Sequence, residues 1–327
     1  MTTARVVPVT TEMDGDELDA EDAWHLSRRI GVRRLLLDAF VRFRYADGFS
    51  HSRALAFQAA LAVVPFLLAL SGLAQHIDHE RPARVLARTI ESLSPGGGSH
   101  DAFATAVGGS GGEHAGDIAL VIGLVFSFLS MTTAMAQVER GTNRIYGIRR
   151  DRPAPAKYGR ALVLTAILAA PVGIGFLLLV GGGSIADAMQ ASYGWSDGAV
   201  TAWNVARWPV GLVLLVFTIA VLLDHAPRRR QPALSWLALG SGISVVLTMV
   251  ATGLLAAYVT LSGSFGAIYG PLGGVFALLL WSLLSSVAFF LGAAVCAQLE
   301  FLRSGQQHPV HDDPGRPPSQ VVEEQAG

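Results

Sequence analysis

Cysteine and formal charge are both scarce in this chain of 327 residues. Cys296 is the only cysteine, so neither an intrachain disulfide nor a cysteine-based metal site can form. Charged residues make up 15% of the chain and hydrophobic residues 51%, and the mean hydropathy is +0.45. This balance excludes an ordinary soluble domain and indicates a membrane protein.

Catalytic motifs are also missing. The sequence contains no Ser-His-Asp, HExxH or zinc-deaminase spacing, and no Gly-Lys-Ser/Thr follows its glycine runs. Adjacent residues on a helix point about 100° apart, so we do not expect Asp224 and His225 to act as an acid-base pair. The sequence therefore predicts no catalytic residue, no metal, no cofactor and no enzyme activity, including no cleavage of RNA.

A cluster of possible metal ligands lies near the end of the first apolar segment: His76, Asp78, His79 and Glu80. Four such residues within a short loop are more often solvated than metal-bound, and we favour that interpretation. No apolar stretch before residue 53 has the form of a signal peptide, so we expect the first apolar segment to be an uncleaved anchor.

Six apolar segments are long enough to cross a bilayer as helices, for which roughly 20 residues are needed. Glycines and a proline between residues 262 and 271 divide the last long apolar stretch into two spans. Pro65 and Pro171 lie in mid-span and predict kinks, which serve either as hinges or as packing solutions. The predicted spans are about 54–74, 118–138, 161–180, 205–223, 233–261 and 271–298.

Basic residues predict the orientation of these spans. All 24 Lys and Arg residues lie on one side of the predicted topology except Arg81, Arg84, Arg88 and Arg207. Because positive charge marks the cytoplasmic side, we expect a multi-pass protein with both termini in the cytoplasm. The fold class is therefore an all-α polytopic membrane protein.

Three regions follow from the charge pattern. We predict a disordered acidic tail over residues 1–22, a six-span membrane domain over 23–303 and a second disordered tail over 304–327. Within the domain, Trp24 to Tyr45 alternates apolar and basic residues and predicts an amphipathic interfacial helix whose arginines meet anionic lipid headgroups. The alternative is a helix packed on the bundle. Residues 82–93 predict a short outer helix.

Polar residues at the ends of the spans are the candidate site. Arg140 and Arg144 share one helical face, next to Asn143, and either bind a lipid phosphate or set orientation. The remaining polar residues either form a functional cluster or join helices by hydrogen bonds, which is the simpler interpretation. These residues are Gln58, Gln137, Asp224 and His225, with Gln298 and Glu300 at the end of span six.

The chain resembles the YihY/BrkB family of bacterial inner-membrane proteins, historically mislabelled ribonuclease BN, over roughly residues 30–303. The resemblance rests on residues 56–65, on Asn143 to Ile148 with the arginines that follow, and on Tyr269-Gly270, Trp281 and Leu291 to Ala293. Phe57, Ala62 and Ala294 depart from the family pattern, and Asp224 to Pro227 lacks the Tyr that commonly opens that segment. Ala294 stands where a Glu is frequent.

This resemblance implies an envelope role, of which transport of a lipid or another amphiphile is the more concrete version. We expect the protein to bind membrane lipids, anionic ones above all, and to bind no specific nucleic acid. A second copy of the chain or another membrane protein is a further possible partner. An assembly or scaffold factor is the alternative function, and a ribonuclease, which the family's older label implies, is a further alternative that we disfavour. For an assembly or scaffold factor, Ala288, Gly292 and Cys296 form a smooth ridge on span six that could contact a partner.

Overall fold

Nine helices and two short strands form within the residues that the computed structural model describes, which are 5–12, 18–75, 115–179, 181–261, 272–306 and 308–312. The strands are β1 (Arg5–Val6) and β2 (His311–Asp312). The helices are α1 (Ala20–Ile30), α2 (Val32–Tyr45), α3 (Gly48–Gln75), α4 (Ala115–Ile145), α5 (Ala154–Leu179), α6 (Gly182–Tyr193), α7 (Asp197–His225), α8 (Leu234–Leu261) and α9 (Gly273–Arg303).

Six of these helices, α3, α4, α5, α7, α8 and α9, are long and apolar enough to span a membrane, which confirms the predicted number. Most are longer than the predicted spans: α4 continues to Ile145, and α5 begins at Ala154. A helix of 31 residues such as α4 is about 46 Å long, so it extends past a hydrocarbon core of about 30 Å. Pro65 and Pro171 lie inside α3 and α5, as predicted.

The spans pack in a closed order. Helix α3 contacts α4, which contacts α5, and the sequence of contacts continues through α7, α8 and α9 back to α3. Large apolar side chains remain exposed along the spans, among them Phe126, Val213 and Leu254. Such a surface is expected where lipid rather than water surrounds the bundle.

Two helix pairs approach closely at glycines. A Cβ atom added to Gly72 would lie 2.4 Å from the backbone nitrogen of Leu120, so α3 and α4 meet there without a side chain between them. A Cβ atom on Gly240 of α8 would lie 2.5 Å from the carbonyl oxygen of Gly292 in α9. The small-residue ridge of span six is therefore used inside the bundle, where it packs on α8.

The predicted single helix over Trp24 to Tyr45 is two helices. Gly31 separates α1 from α2 because it adopts a φ of +90°, which a helix does not accommodate, and its N–H donates to the Ser27 carbonyl. Helix α1 packs on α8 and α9, and α2 packs on α9 and α3. The opposite face of α2 exposes Leu36, Leu37 and Phe40.

The two predicted tails also differ from the structure where it describes them. Arg5–Val6 pairs antiparallel with His311–Asp312, so the two ends of the described chain meet. Residues 5–12 are held by buried groups of the bundle, as detailed below, which local composition does not reveal. The predicted outer helix over 82–93, the residues from His76 to Glu80 and the break between spans five and six lie outside the described residues.

Candidate functional site

The ends of several helices and two connecting segments meet at one end of the bundle, here called the basic end. It comprises the starts of α3, α5 and α8, the ends of α2, α4, α7 and α9, and the connections 146–153 and 226–233. Gly147, with a φ of +79°, turns the chain after α4. A Cβ atom at Gly147 would lie 2.5 Å from the carbonyl oxygen of Pro8, so residues 5–12 cross directly over this turn.

Asn143 joins the two connections. Its Nδ2 donates to Asp151 Oδ1 at 3.1 Å, and its Oδ1 accepts from the backbone N–H of Arg228 at 2.8 Å. The Asn143 side chain is fully buried, whereas its partners Asp151 and Arg228 are partly accessible to water. Asn143 therefore has an internal structural role, and its amide is already engaged on both sides.

Asp151 forms ion pairs with three basic side chains. Its Oδ2 lies 3.5 Å from Arg140 Nε and 3.4 Å from Lys157 Nζ, and its Oδ1 lies 3.8 Å from Arg144 Nη1. Burial by itself would raise the pKa of Asp151, but the Asn143 hydrogen bond and the Lys157 and Arg144 charges outweigh burial and hold that pKa below its ordinary value. One carboxylate neutralises one of the three cations, so the cluster keeps a positive surplus.

Glu139, one helical turn before Asn143 on α4, forms an ion pair with Arg152. Arg152 Nη1 lies 3.0 Å from Glu139 Oε2, and both side chains are mostly buried. The same guanidinium donates to the carbonyl oxygens of Ala226 at 3.0 Å and Pro227 at 2.9 Å. Arg152 therefore ties the end of α4 to the connection after α7.

A second charged cluster lies deeper. Arg229 Nη2 contacts Glu300 Oε2 at 2.6 Å, with side-chain exposures of 2% and 0%. Arg229 also donates to the Thr11 carbonyl oxygen at 3.2 Å and to the Thr10 hydroxyl, and it lies over the Tyr146 ring, 4.8 Å from its centre. Because a buried charge is costly without a partner, this pair depends on its mutual contact.

Arg42 of α2 completes this cluster. Its Nε donates to the Ile145 carbonyl oxygen and its Nη2 to the Pro8 carbonyl oxygen, each at 2.8 Å. Burial lowers the pKa of Arg42 to about 10, so it stays charged at neutral pH. Burial and the nearby Glu300 carboxylate raise the pKa of Tyr146 well above its ordinary value, so its hydroxyl stays protonated.

The other predicted site residues lie in separate contacts. Gln137 Nε2 lies 2.9 Å from His51 Nδ1, whereas the buried Oε1 of Gln58 has no hydrogen-bond partner among the described residues. Asp224 Oδ2 lies 2.9 Å from His225 Nδ1, although their helical positions predicted that they would diverge. Both side chains rotate toward each other at the exposed end of α7, where packing does not hold them apart.

The structure brings Arg140, Arg144 and Asn143 together around Asp151, a common partner that the sequence interpretation missed. That interpretation also treated Arg42 as lipid-facing and Arg229 as an orientation signal, whereas both are buried. Glu300 was the available indication: a carboxylate in an apolar helix requires a cation, and only the fold identifies which one. In the described ranges no group of three or more His, Cys, Asp or Glu residues could hold a metal ion.

The profile of the family described as Virulence factor BrkB matches residues 39–314. A Bacillus subtilis (strain 168) protein named ribonuclease-like protein YfkH is 24% identical over 275 residues, covering 81% of this chain and 94% of that protein. A UPF0761 membrane protein of Chromohalobacter salexigens is 27% identical over 279 residues, covering 82% of this chain and 63% of the relative.

A UPF0761 membrane protein of Pseudomonas aeruginosa (strain LESB58) is 30% identical over 185 residues, covering 56% of this chain and 43% of the relative. The chain thus spans nearly all of the Bacillus protein and less than two thirds of the other two. No solved structure matches the chain.

Proposed function

The chain belongs to the BrkB family of membrane proteins, and from that premise we propose that it binds an anionic lipid or another amphiphile at its basic end and transports it across the membrane. This transport is the concrete form of the envelope role that the family's description suggests. The observation that carries the proposal is the positive surplus around Asp151, where three cations share one carboxylate.

The position of that surplus matters as much as its charge. Arg140 and Arg144 lie in the last turns of α4, where the span leaves the hydrocarbon core, and about half of the Arg140 side chain is exposed. Phosphate groups of lipids lie at this depth, and each basic residue near an anionic surface contributes about 1 kcal/mol to its attraction. Large apolar side chains are exposed along the spans, as contact with acyl chains requires.

The membrane and the orientation are part of the proposal. We assign the protein to the bacterial inner membrane, with the basic end and both termini in the cytoplasm, from the distribution of Lys and Arg. Reporters fused after residue 303 and between residues 149 and 158 should be cytoplasmic, and a reporter within residues 96–112 should be exported. Labelling of residues 96–112 only from the cytoplasmic side would contradict this orientation.

Reconstitution tests the transport itself. Vesicles that contain the purified protein should expose a fluorescent phosphatidylglycerol of the inner leaflet to an external quencher faster than protein-free vesicles. Arg140→Gln with Arg144→Gln should slow that exchange, whereas Arg28→Gln with Arg29→Gln on α1 removes the same charge elsewhere and should not. Equal exchange with and without the wild-type protein would overturn the proposal.

An assembly or scaffold factor is the second candidate. The observation in its favour is the exposed apolar face of α2, which carries Leu36, Leu37 and Phe40. The ridge with Gly292 argues less for this function than the sequence suggested, because α8 already covers it. Native mass spectrometry separates the candidates: a retained lipid favours transport, and a retained second protein favours assembly.

RNA cleavage, which the name of the Bacillus relative suggests, is the function that we do not propose. The Asp224–His225 contact provides a carboxylate and an imidazole, but among the described residues no group of three or more potential metal ligands accompanies it. Purified protein should not cleave RNA with Mg²⁺, Mn²⁺ or Zn²⁺. Cleavage that Asp224→Ala with His225→Ala abolishes would reverse this view.

A further inference from the structure

A cleft of about 610 Å³ opens at the basic end beside the Asp151 cluster. One wall is formed by residues 6–9, and the turn at Gly147 and Ile148 lies opposite. Its remaining lining consists of three arginines: Arg149, Arg150 and Arg228. The volume is within the range of sites that hold small molecules.

The arginines of this cleft are less neutralised than those around Asp151. Arg149 and Arg150 are exposed, and neither forms an ion pair within the described part of the chain. Arg228 donates from Nη1 to the backbone carbonyl oxygen of Asp151 at 3.2 Å, which leaves its charge uncompensated. Three guanidinium groups around one opening favour a phosphate-bearing ligand, because guanidinium matches phosphate oxygens in geometry and charge.

The remaining lining of the cleft is apolar. Val6, Val7, Val9 and Ile148 are among its lining residues, and none of the lining residues is aromatic. A free phosphate ion would not use the apolar wall, and a nucleotide would find no ring on which to stack its base. A ligand with a phosphate and an adjoining apolar part uses both surfaces.

The wall is held in place by the deep cluster. Arg42 binds the Pro8 carbonyl oxygen, and Arg229 binds the Thr10 hydroxyl and the Thr11 carbonyl oxygen. Pairing of β1 with β2 fixes the other end of this segment. The cleft is therefore a preorganised feature of the bundle, which reduces the entropic cost of binding.

From these observations we infer that the cleft lined by residues 6–9, Gly147 to Arg150 and Arg228 is a headgroup site for an anionic phospholipid. The inference rests on the proposed function, since it identifies where the amphiphile's phosphate binds. It extends the sequence-based candidate: Arg140 and Arg144 lie beside the cleft and add to its positive charge, whereas Arg149, Arg150 and Arg228 line it.

A fluorophore at position 9 can report on this cleft. Val9 is 66% exposed and lines the opening, and Cys296, the only native cysteine, is fully buried, so Val9→Cys provides a single reactive thiol. Purified labelled protein would be titrated with dihexanoyl phosphatidylglycerol, with the matching phosphatidylcholine, with inorganic phosphate and with a polyglutamate peptide. We expect saturable binding of phosphatidylglycerol that is tighter than binding of each of the other three.

Arg149→Gln with Arg150→Gln should weaken phosphatidylglycerol binding about thirtyfold, because each interfacial charge contributes a factor of about five. Both arginines are exposed, so this variant should fold normally. Arg28→Gln with Arg29→Gln on α1 is the matched control and should change binding less than about twofold.

Several results would overturn the inference: equal losses in the two double variants, inorganic phosphate binding as tightly as the lipid, or polyglutamate binding more tightly than the lipid. Lipid exchange in vesicles by the wild-type protein, with no response of the label, would reject the cleft and leave the proposed function standing. A saturable label response without lipid exchange would support the cleft and reject transport.

Discussion

The two ends of the bundle differ in how far apart along the chain their polar partners lie. At the basic end, Arg229 reaches Thr11 across 218 residues and Arg42 reaches Ile145 across 103. At the described part of the opposite end, Gln190 reaches Asp197 across 7 residues and Arg207 reaches Leu178 across 29. Polar contacts at the basic end therefore join distant parts of the chain, whereas those at the other end join residues that are closer in sequence.

This difference implies that substitutions at the basic end should destabilise the protein more than substitutions at the opposite end. The deep charges of the basic end, Arg229 and Glu300, are buried and mutually dependent, so that removal of one partner leaves the other in a medium of low dielectric constant. Contacts at the opposite end are more exposed, and water can replace them. Matched substitutions at the two ends test the comparison directly.

The largest effect is expected from Glu300→Ala. It leaves the buried Arg229 guanidinium without its carboxylate, and we expect a loss of about 3–5 kcal/mol in the free energy of unfolding. Unfolding of the wild-type protein and the variant in mixed detergent micelles measures this free-energy difference. Asp197→Ala at the opposite end, which removes an exposed partner of Gln190, should cost about 1 kcal/mol or less. Similar losses at the two positions would remove the basis of the comparison.

Backbone approach gives the second contrast, within a single helix. Gly240→Ala in α8 would place a Cβ atom 2.3 Å from Cys296 Sγ and 2.5 Å from the Gly292 carbonyl oxygen, and we expect a loss of about 1–3 kcal/mol in stability. Gly253→Ala in the other half of α8 meets no atom within 4 Å. Gly253→Ala should be neutral or slightly stabilising. A shift in its thermal unfolding midpoint equal to that of Gly240→Ala would show that close helix packing at Gly240 is not the cause of the loss.

Asn143→Ala should have a smaller effect. It removes the bridge between Asp151 and the Arg228 N–H, and we expect a loss of about 1 kcal/mol, since both partners are partly accessible to water. Gln190→Ala is the matching loss of an amide at the other end and should have less effect. The thermal unfolding midpoints of the two variants, measured side by side, test this order. A larger destabilisation by Gln190→Ala than by Asn143→Ala would contradict the comparison of the two ends.

The smallest effect should be the pH dependence contributed by Asp151. Because its folded-state pKa lies below the ordinary value of 3.8, its contribution to stability is present above about pH 4 and is lost as the pH falls through the lower folded-state pKa. Asp151→Asn should remove that part of the acid sensitivity. Stability profiles of both proteins below pH 5 measure this, and parallel profiles would show that Asp151 is not linked to folding.

Much of the architecture was predictable from the sequence, because length and apolarity alone decide what can cross a bilayer. Helix α8 ends at Leu261, where span five was predicted to end, and α9 ends at Arg303, five residues after the predicted end of span six at 298. Helix α6 (Gly182–Tyr193) was not predicted, since it is short and weakly patterned. The break at Gly31 could have been expected from a glycine between two basic runs.

The candidate site was only partly predictable. Local spacing was enough to group Arg140 with Arg144, but their partner Asp151 belongs to a connection whose path depends on packing. His225 and Asp224 show the limit of helical geometry, because exposed side chains can turn toward each other whatever the angle between their Cα–Cβ bonds.

The sequence by itself determined that this is a helical membrane protein with six spans, because an apolar helix about 20 residues long satisfies its own backbone and needs no distant partner to do so. Only the tertiary structure decided which charges are paired and which are free. Arg229 and Arg149 look alike in the sequence, yet Arg229 is buried against Glu300 and Arg149 lines an open cleft. The physical reason is that burial and charge pairing depend on residues brought together from distant parts of the chain.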